Sequence, residues 1–308
     1  MISLLVLLFE IFVVHSKLSG INYTSKFNGV CKSEEEIHND AIVISELADS
    51  VYLNYIDECN FDNTFAKFNK TGIKIYVNVN IQSCWNIGQN DSQCYNGLTK
   101  IKSFESIKGT SVDSFEFKYY LHNLFLNRIK TDIYGNPNLS PITELKNTLK
   151  QINSNVKVGH FHKIDFAGRN FIHRPLNVLH EFITSKKHHK LLDFITLDII
   201  LPGSQIDVSQ FQKDVFNEDF VALQSLGLKI YVSVSFKDQN DLPVTNFIEL
   251  VRELVCRTDN NLSYFIKDSA SSMSILRNYK YKRYLKSVSK DFLICENHTF
   301  IGKKIDQC

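Results

Sequence analysis

Short runs of β-branched and aromatic residues alternate along this chain with longer stretches of helical character. The runs are VYLNYI (51–56), KIYVNVNI (74–81), SVDSFEFKYY (111–120), VKVGHFHKI (156–164), FITLDIIL (194–201), KIYVSVSF (229–236) and LSYFIKD (262–268). Between them lie PITELKNTLKQIN, RPLNVLHEFITSKKHHKLL and VTNFIELVRELVCR, which have helical spacing. Strand alternating with helix predicts parallel α/β structure. An eighth strand is expected in GINYTSKFNGV (20–30). Eight β/α units in a chain of 308 residues fit a (β/α)8 TIM barrel, with room for a shortened C-terminal end.

Two observations bear on barrel against open sheet. TGIKIYVNVN (71–80) and LGLKIYVSVS (226–235) share Gly72/Gly227, Lys74/Lys229, Ile75/Ile230, Tyr76/Tyr231, Val77/Val232 and Val79/Val234. A repeated βαβ unit suits either architecture. The faces discriminate better. Ile75, Val77 and Val79 oppose Tyr76, Asn78 and Asn80. Ile195, Leu197 and Ile199 oppose Thr196, Asp198 and Ile200. Ile230, Val232 and Val234 oppose Tyr231, Ser233 and Ser235. A doubly wound sheet is covered on both faces and wants both apolar. A barrel interior that opens onto a polar site tolerates one apolar and one polar face.

The N-terminal MISLLVLLFEIFVVHS is an apolar run of signal-peptide length, with Val14 and Ser16 fitting a small-residue cleavage pattern. Residues 1–16 are therefore expected to be a signal peptide and 17–308 the mature domain. The run is too short to span a bilayer and no second one follows, so no membrane span is expected. Secretion agrees with sequons at Asn22, Asn69, Asn90, Asn138, Asn261 and Asn297, which are glycosylation candidates. All seven cysteines fall in the mature chain, where an oxidising compartment favours disulfides. Cys31 with Cys59, and Cys84 with Cys94, are candidate pairs. Cys256, Cys295 and Cys308 leave one odd thiol. The formal net charge is +2 and selects no partner. The basic, tyrosine-rich 277–290 segment reads as an exposed helix, and no nucleic acid is expected.

The order of motifs resembles glycoside hydrolase family 18, the chitinases. ADSVYLNYI looks like the family's second strand, GIKIYVNVN its third, and LLDFITLDIIL its sixth, usually D-F-I-N-x-M-T-Y-D. SVDSFEFKYY falls where the family carries D-x-x-D-x-D-x-E on its fourth strand. The resemblance implies roles for that signature. Its last Glu is the general acid, and the preceding Asp orients the substrate acetamide, whose oxygen is the nucleophile. Here Asp113 keeps the first position, Glu116 replaces the second, Lys118 the third and Tyr120 the acid.

A phenol with a pKa of about 10 is a poor acid for this step. An ammonium at Lys118 would oppose developing positive charge by about 4 kcal/mol, taking a separation of roughly 4 Å and an effective dielectric of about 20. Side chains two apart on a strand share a face, so Glu116 and Lys118 can neutralise each other. Ile200 and Leu201 stand where the sixth strand has Tyr and Asp. Trp85 is the one tryptophan, although the family lines its cleft with several.

The expected protein is thus a secreted, catalytically inactive, chitinase-like barrel with no cofactor. Its expected partner is a chitin-type oligosaccharide or another glycan, or a protein. Tyr76, Asn78, Trp85, Glu116, Tyr120 and Asp198 are the ligand-binding candidates, with Tyr119 beside them. A relocated glycosidase using Glu116 and Asp198 is one alternative. A protein-interaction barrel without a sugar site is the other. The His160–His162 pair shares a strand face, but two ligands do not make a metal site, and no metal is expected.

Overall fold

A computed structural model of the chain describes residues 17–54, 59, 61–79, 107–113, 146–147, 155–165, 175–185, 187–201, 208–236, 250–254, 257, 262–267, 276–277 and 283. Eight parallel strands close into a barrel. They are β1 (Ile21–Tyr23), β4 (Ser50–Asn54), β5 (Lys74–Val79), β6 (Ile107–Asp113), β7 (Lys157–Asp165), β8 (Phe194–Leu201), β9 (Lys229–Phe236) and β10 (Leu262–Lys267). β1 pairs with both β4 and β10, so the last expected strand is present and closes the ring. A two-stranded hairpin, β2 (Lys26–Phe27) and β3 (Val30–Cys31), follows β1. The described helices are α1 (Glu34–Leu47), α2 (Phe61–Lys70), α3 (Pro175–Ser185), α4 (Val208–Val215) and α5 (Glu218–Gln224). No helix among the described residues is long and apolar enough to cross a membrane.

The outward faces form the main core. Ile75, Val77, Ile195, Leu197, Ile199, Ile230 and Val232 are all buried with Ile44, Phe68, Leu179, Phe182 and Leu223 from the helices. On β5, β8 and β9 the apolar and polar faces fall as the alternation predicts. The echoed segments are equivalent turns. Gly72 and Gly227 stand just after α2 and α5 with φ of +73° and +71°. Their N–H groups donate to Asn69 O and Gln224 O. A left-handed residue ends a helix this way, and glycine takes that conformation without a Cβ penalty.

The barrel interior is filled with rings rather than the usual branched aliphatics. Tyr52, Phe194, Tyr231 and Phe265 form one buried cluster, with Tyr76 and Phe161 against it. Large rings in a narrow barrel need small neighbours. A Cβ on Gly159 would lie 2.3 Å from Phe194, one on Gly109 2.8 Å from Tyr76, and one on Gly20 2.5 Å from Phe265.

This packing explains a difference from the sequence-based expectation. The fourth barrel strand starts at Ile107, four residues before the predicted SVDSFEFKYY, and its described part stops at Asp113. Lys108 and Gly109 carry no strand signal, because position 109 is set by the rings around it. Residues 114–120 lie outside the described residues.

Gly159→Ala should cost about 1–3 kcal/mol, the usual range for overpacking a filled interior. Denaturant melts of the single variants and of Gly159→Ala/Phe194→Leu check it. The double variant should lose less than the sum of the two singles, because the smaller side chain vacates the space that the new methyl needs.

Candidate functional site

Parallel closure puts the C-terminal ends of all eight strands on one face, where barrel enzymes carry their sites. Register orders the interior from floor to mouth. Tyr76 is level with Tyr52 and Gly109, while Asn78, two residues on, is level with Ser111. The ring cluster is therefore the floor. Above it lies a polar layer of Asn22, Asn78, Ser111, Asp198 and Ser233, all buried, with Lys267 about a third exposed at the end of β10.

The layer is wired across the barrel. Ser111 Oγ donates to Asn78 Oδ1 at 3.2 Å and also bonds the Tyr52 hydroxyl. Asn22 Nδ2 donates to Ser233 Oγ at 3.4 Å. Lys267 Nζ donates to Asp198 Oδ2 at 3.3 Å, joining β10 to β8. Asp198 is 2% exposed, and its Oδ1 is sealed with no hydrogen-bond partner among the described residues. Thr196 Oγ1, two residues nearer the floor on the same face, is in the same condition.

The hairpin, Cys59 and Arg277 follow β1, β4 and β10 respectively, so they belong to one side of the mouth. A disulfide joins Cys31 to Cys59, one of the two candidate pairs. Arg277 donates to Glu36 Oε1 at 2.5 Å and lies over the Phe27 ring at 4.4 Å. Glu36 also completes a capping box with Ser33 at the start of α1. The Arg277 hydrogen bond, then the bond from the Ser33 backbone, hold the Glu36 carboxyl down at about 2.

The sign of the pH effect follows from that shift. A carboxyl depressed in the folded state stabilises it above the ordinary value, and that stability is lost as pH falls from about 4.5 towards 2. Thermal melts of native protein and Glu36→Gln should differ at pH 7 and converge towards pH 2. High salt should shrink the difference, because the pair is exposed.

The sequence candidates divide. Asn78 and Asp198 stand in the polar layer. Tyr76 does not reach the mouth. It is part of the floor, its hydroxyl 2.9 Å from that of Tyr231, with Phe194 and Phe265 against its ring. Burial raises the Tyr231 hydroxyl far above its ordinary pKa, with Tyr76 adding to the effect, so it stays a neutral phenol. Asn22 is 2% exposed inside the barrel with its amide on Ser233, so its sequon is not offered to a glycan there. Asn69 is exposed at the end of α2. His160 and His162 face the helix layer with Val158 and Ile164, their rings 5.4 Å apart, while Phe161 faces inward.

Trp85, Glu116, Lys118, Tyr119 and Tyr120 lie outside the described residues, as do Cys84, Cys94, Cys256, Cys295, Cys308, Asn90, Asn138, Asn261 and Asn297. The signal segment 1–16 does too. Asp113 ends β6. The inward positions of the described strand are 109 and 111. Lys267 was not among the sequence candidates. Its signal was available, since Ser263, Phe265 and Lys267 share one face of LSYFIKD.

The closed parallel barrel is of the TIM class, and what it resembles is visible in structure rather than sequence. The chain matches no protein-family model and no curated protein sequence. A protein of Bacteroides thetaiotaomicron VPI-5482, proposed to be an α-L-fucosidase, superposes with a TM-score of 0.58 at 10% identity. The match covers 88% of this chain and 94% of that one. A glycosylated endo-β-1,4-xylanase of family 10 from Gloeophyllum trabeum gives 0.50 at 12% identity, covering 82% and 83%. A trimodular family 5 endoglucanase gives 0.51 at 12% identity, covering 90% of this chain and 61% of that one. At such identities the likeness is one of fold alone, the TIM barrel.

Proposed function

We propose that this protein is a secreted, chitinase-like barrel that binds an oligosaccharide at the C-terminal mouth without hydrolysing it. The observation that carries the reading is the state of Asp198. It is the inward-facing carboxylate among the described side chains, and it is engaged by Lys267. Glycoside hydrolysis of the common kinds needs two carboxyl groups, or one acid and a substrate acetamide held in place. Asp198 is matched with an ammonium, and the signature positions carry Lys118 and Tyr120.

The finer kinship with family 18 is supported by motif order. Its second-, third- and sixth-strand motifs coincide with β4, β5 and β8, which are the second, third and sixth strands of the barrel. Secretion is supported by the apolar N-terminal run and by the Cys31–Cys59 disulfide, since such bonds persist in oxidising compartments. The exposed Asn69 is the described sequon best placed for modification. Mass spectrometry of secreted material should find an N-terminus near Lys17.

Titration calorimetry with chitotriose, beside a fluorogenic chitobioside turnover assay, tests the reading. Saturable binding without turnover is expected. Turnover abolished by Glu116→Gln would replace it with the relocated-glycosidase reading. No glycan binding, with a protein co-purifying, would favour the interaction barrel.

A further inference from the structure

We infer that Lys267 is the residue that contacts the ligand, that Asp198 positions it, and that the pair selects neutral acceptor oxygens, a sugar hydroxyl or acetamide carbonyl, over acidic ones. This inference rests on the glycan-binding reading above.

The pair is unusual as a structural element. An ion pair with one buried and one part-exposed member gives little net stability compared with apolar residues of similar shape. Ile200, two residues along the same face of β8, shows that an apolar side chain is accommodated there. A buried acceptor left without a partner also carries a cost, and Asp198 Oδ1 has none among the described residues. Stability does not account for the arrangement, whereas orientation of Lys267 does.

The two ends of the pair differ in access. Asp198 is 2% exposed and Oδ1 is sealed, so the carboxylate is not the ligand-facing group. The Lys267 side chain is 34% exposed at the end of β10. An ammonium has three donors. One goes to Asp198 Oδ2, and no other partner for Nζ stands among the described residues. That bond restrains a flexible stem that would otherwise be free to swing. Lys267 is in register with Asn22, and Asp198 with Ser233, so the pair lies next to the Asn22–Ser233 bond.

The charge of Asp198 sets the selectivity. With its carboxylate 3.3 Å from Nζ, the pair is neutral overall. An incoming carboxylate would gain the ammonium but meet a like charge directly behind it. A hydroxyl or acetamide oxygen accepts the same hydrogen bond without that repulsion.

Calorimetric titration with chitotriose and with a hyaluronan tetrasaccharide, which carries carboxylates, tests this. The native protein should prefer chitotriose. Asp198→Asn/Lys267→Gln removes both charges together and leaves no buried carboxylate unpaired, so the fold should survive. It should lose roughly 10- to 100-fold in chitotriose affinity, the span for a hydrogen bond from a charged donor. Asp198→Asn alone leaves the ammonium unmatched and should shift preference towards the acidic tetrasaccharide by about tenfold, an effect that lost packing would not produce. A double variant that binds chitotriose like the native protein, or an Asp198→Asn variant with unchanged preference, overturns this inference alone. A native protein that binds no glycan overturns it together with the reading it rests on.

Discussion

Cys31→Ser/Cys59→Ser should lower folding stability by about 3.6 kcal/mol in the chain-entropy account of a 28-residue loop. The bond closes a loop that holds the whole of α1 and β4. In the unfolded chain it removes the freedom of that entire unit. Denaturant melts of the native and double-serine proteins measure the loss. An equal effect from mild reduction would assign it to the bond rather than to the serines.

A functional consequence follows from where the bond lies. It fixes the hairpin to the segment after β4, on the side of the mouth where Arg277 also docks. A rim held in place before the ligand arrives reduces the ordering cost of binding. The serine variant should therefore bind chitotriose more weakly even at temperatures where it is fully folded. Unchanged affinity would confine the disulfide to stability.

Much of the fold was legible because barrel strands write their orientation in alternation. Tyr76, Asn78, Thr196, Asp198, Tyr231 and Ser233 turn inward as their polarity suggests. Three features were not legible, each for a physical reason. The start of β6 at Ile107 is hidden because Gly109 is chosen by the rings of Tyr76 and Phe194, which come from strands distant in sequence. The orientation of β7 runs against simple polarity, since His160 and His162 face the helices and Phe161 faces the barrel.

The Asp198–Lys267 pair joins positions 69 apart, so nothing local announces it. Alternation identifies which residues share a face. Which of those residues meet across the interior depends on closure and register. Of the residues in and beside the polar layer, Asn78 and Asp198 were ligand candidates from sequence, while Ser111, Ser233 and Lys267 were not.

Asp40→Ala should destabilise this side of the mouth by up to about 3–5 kcal/mol. The Lys32 side chain has no exposed surface, and its Nζ donates to Asp40 Oδ2 at 2.9 Å. The same oxygen accepts from the Tyr23 hydroxyl at 3.1 Å, and the ammonium lies 4.4 Å from the centre of the Tyr23 ring. Removing Asp40 leaves a buried cation without its carboxylate, and the Tyr23 ring offsets only part of that loss.

Lys32→Met/Asp40→Leu removes both charges while keeping bulk, and it should recover most of the stability, since desolvating the pair was itself costly. Denaturant melts of the two variants separate the accounts. If the single and double variants fall equally, shape rather than charge holds the hairpin to α1. If the double variant is stable but binds chitotriose poorly, the buried pair is retained to set the position of the rim.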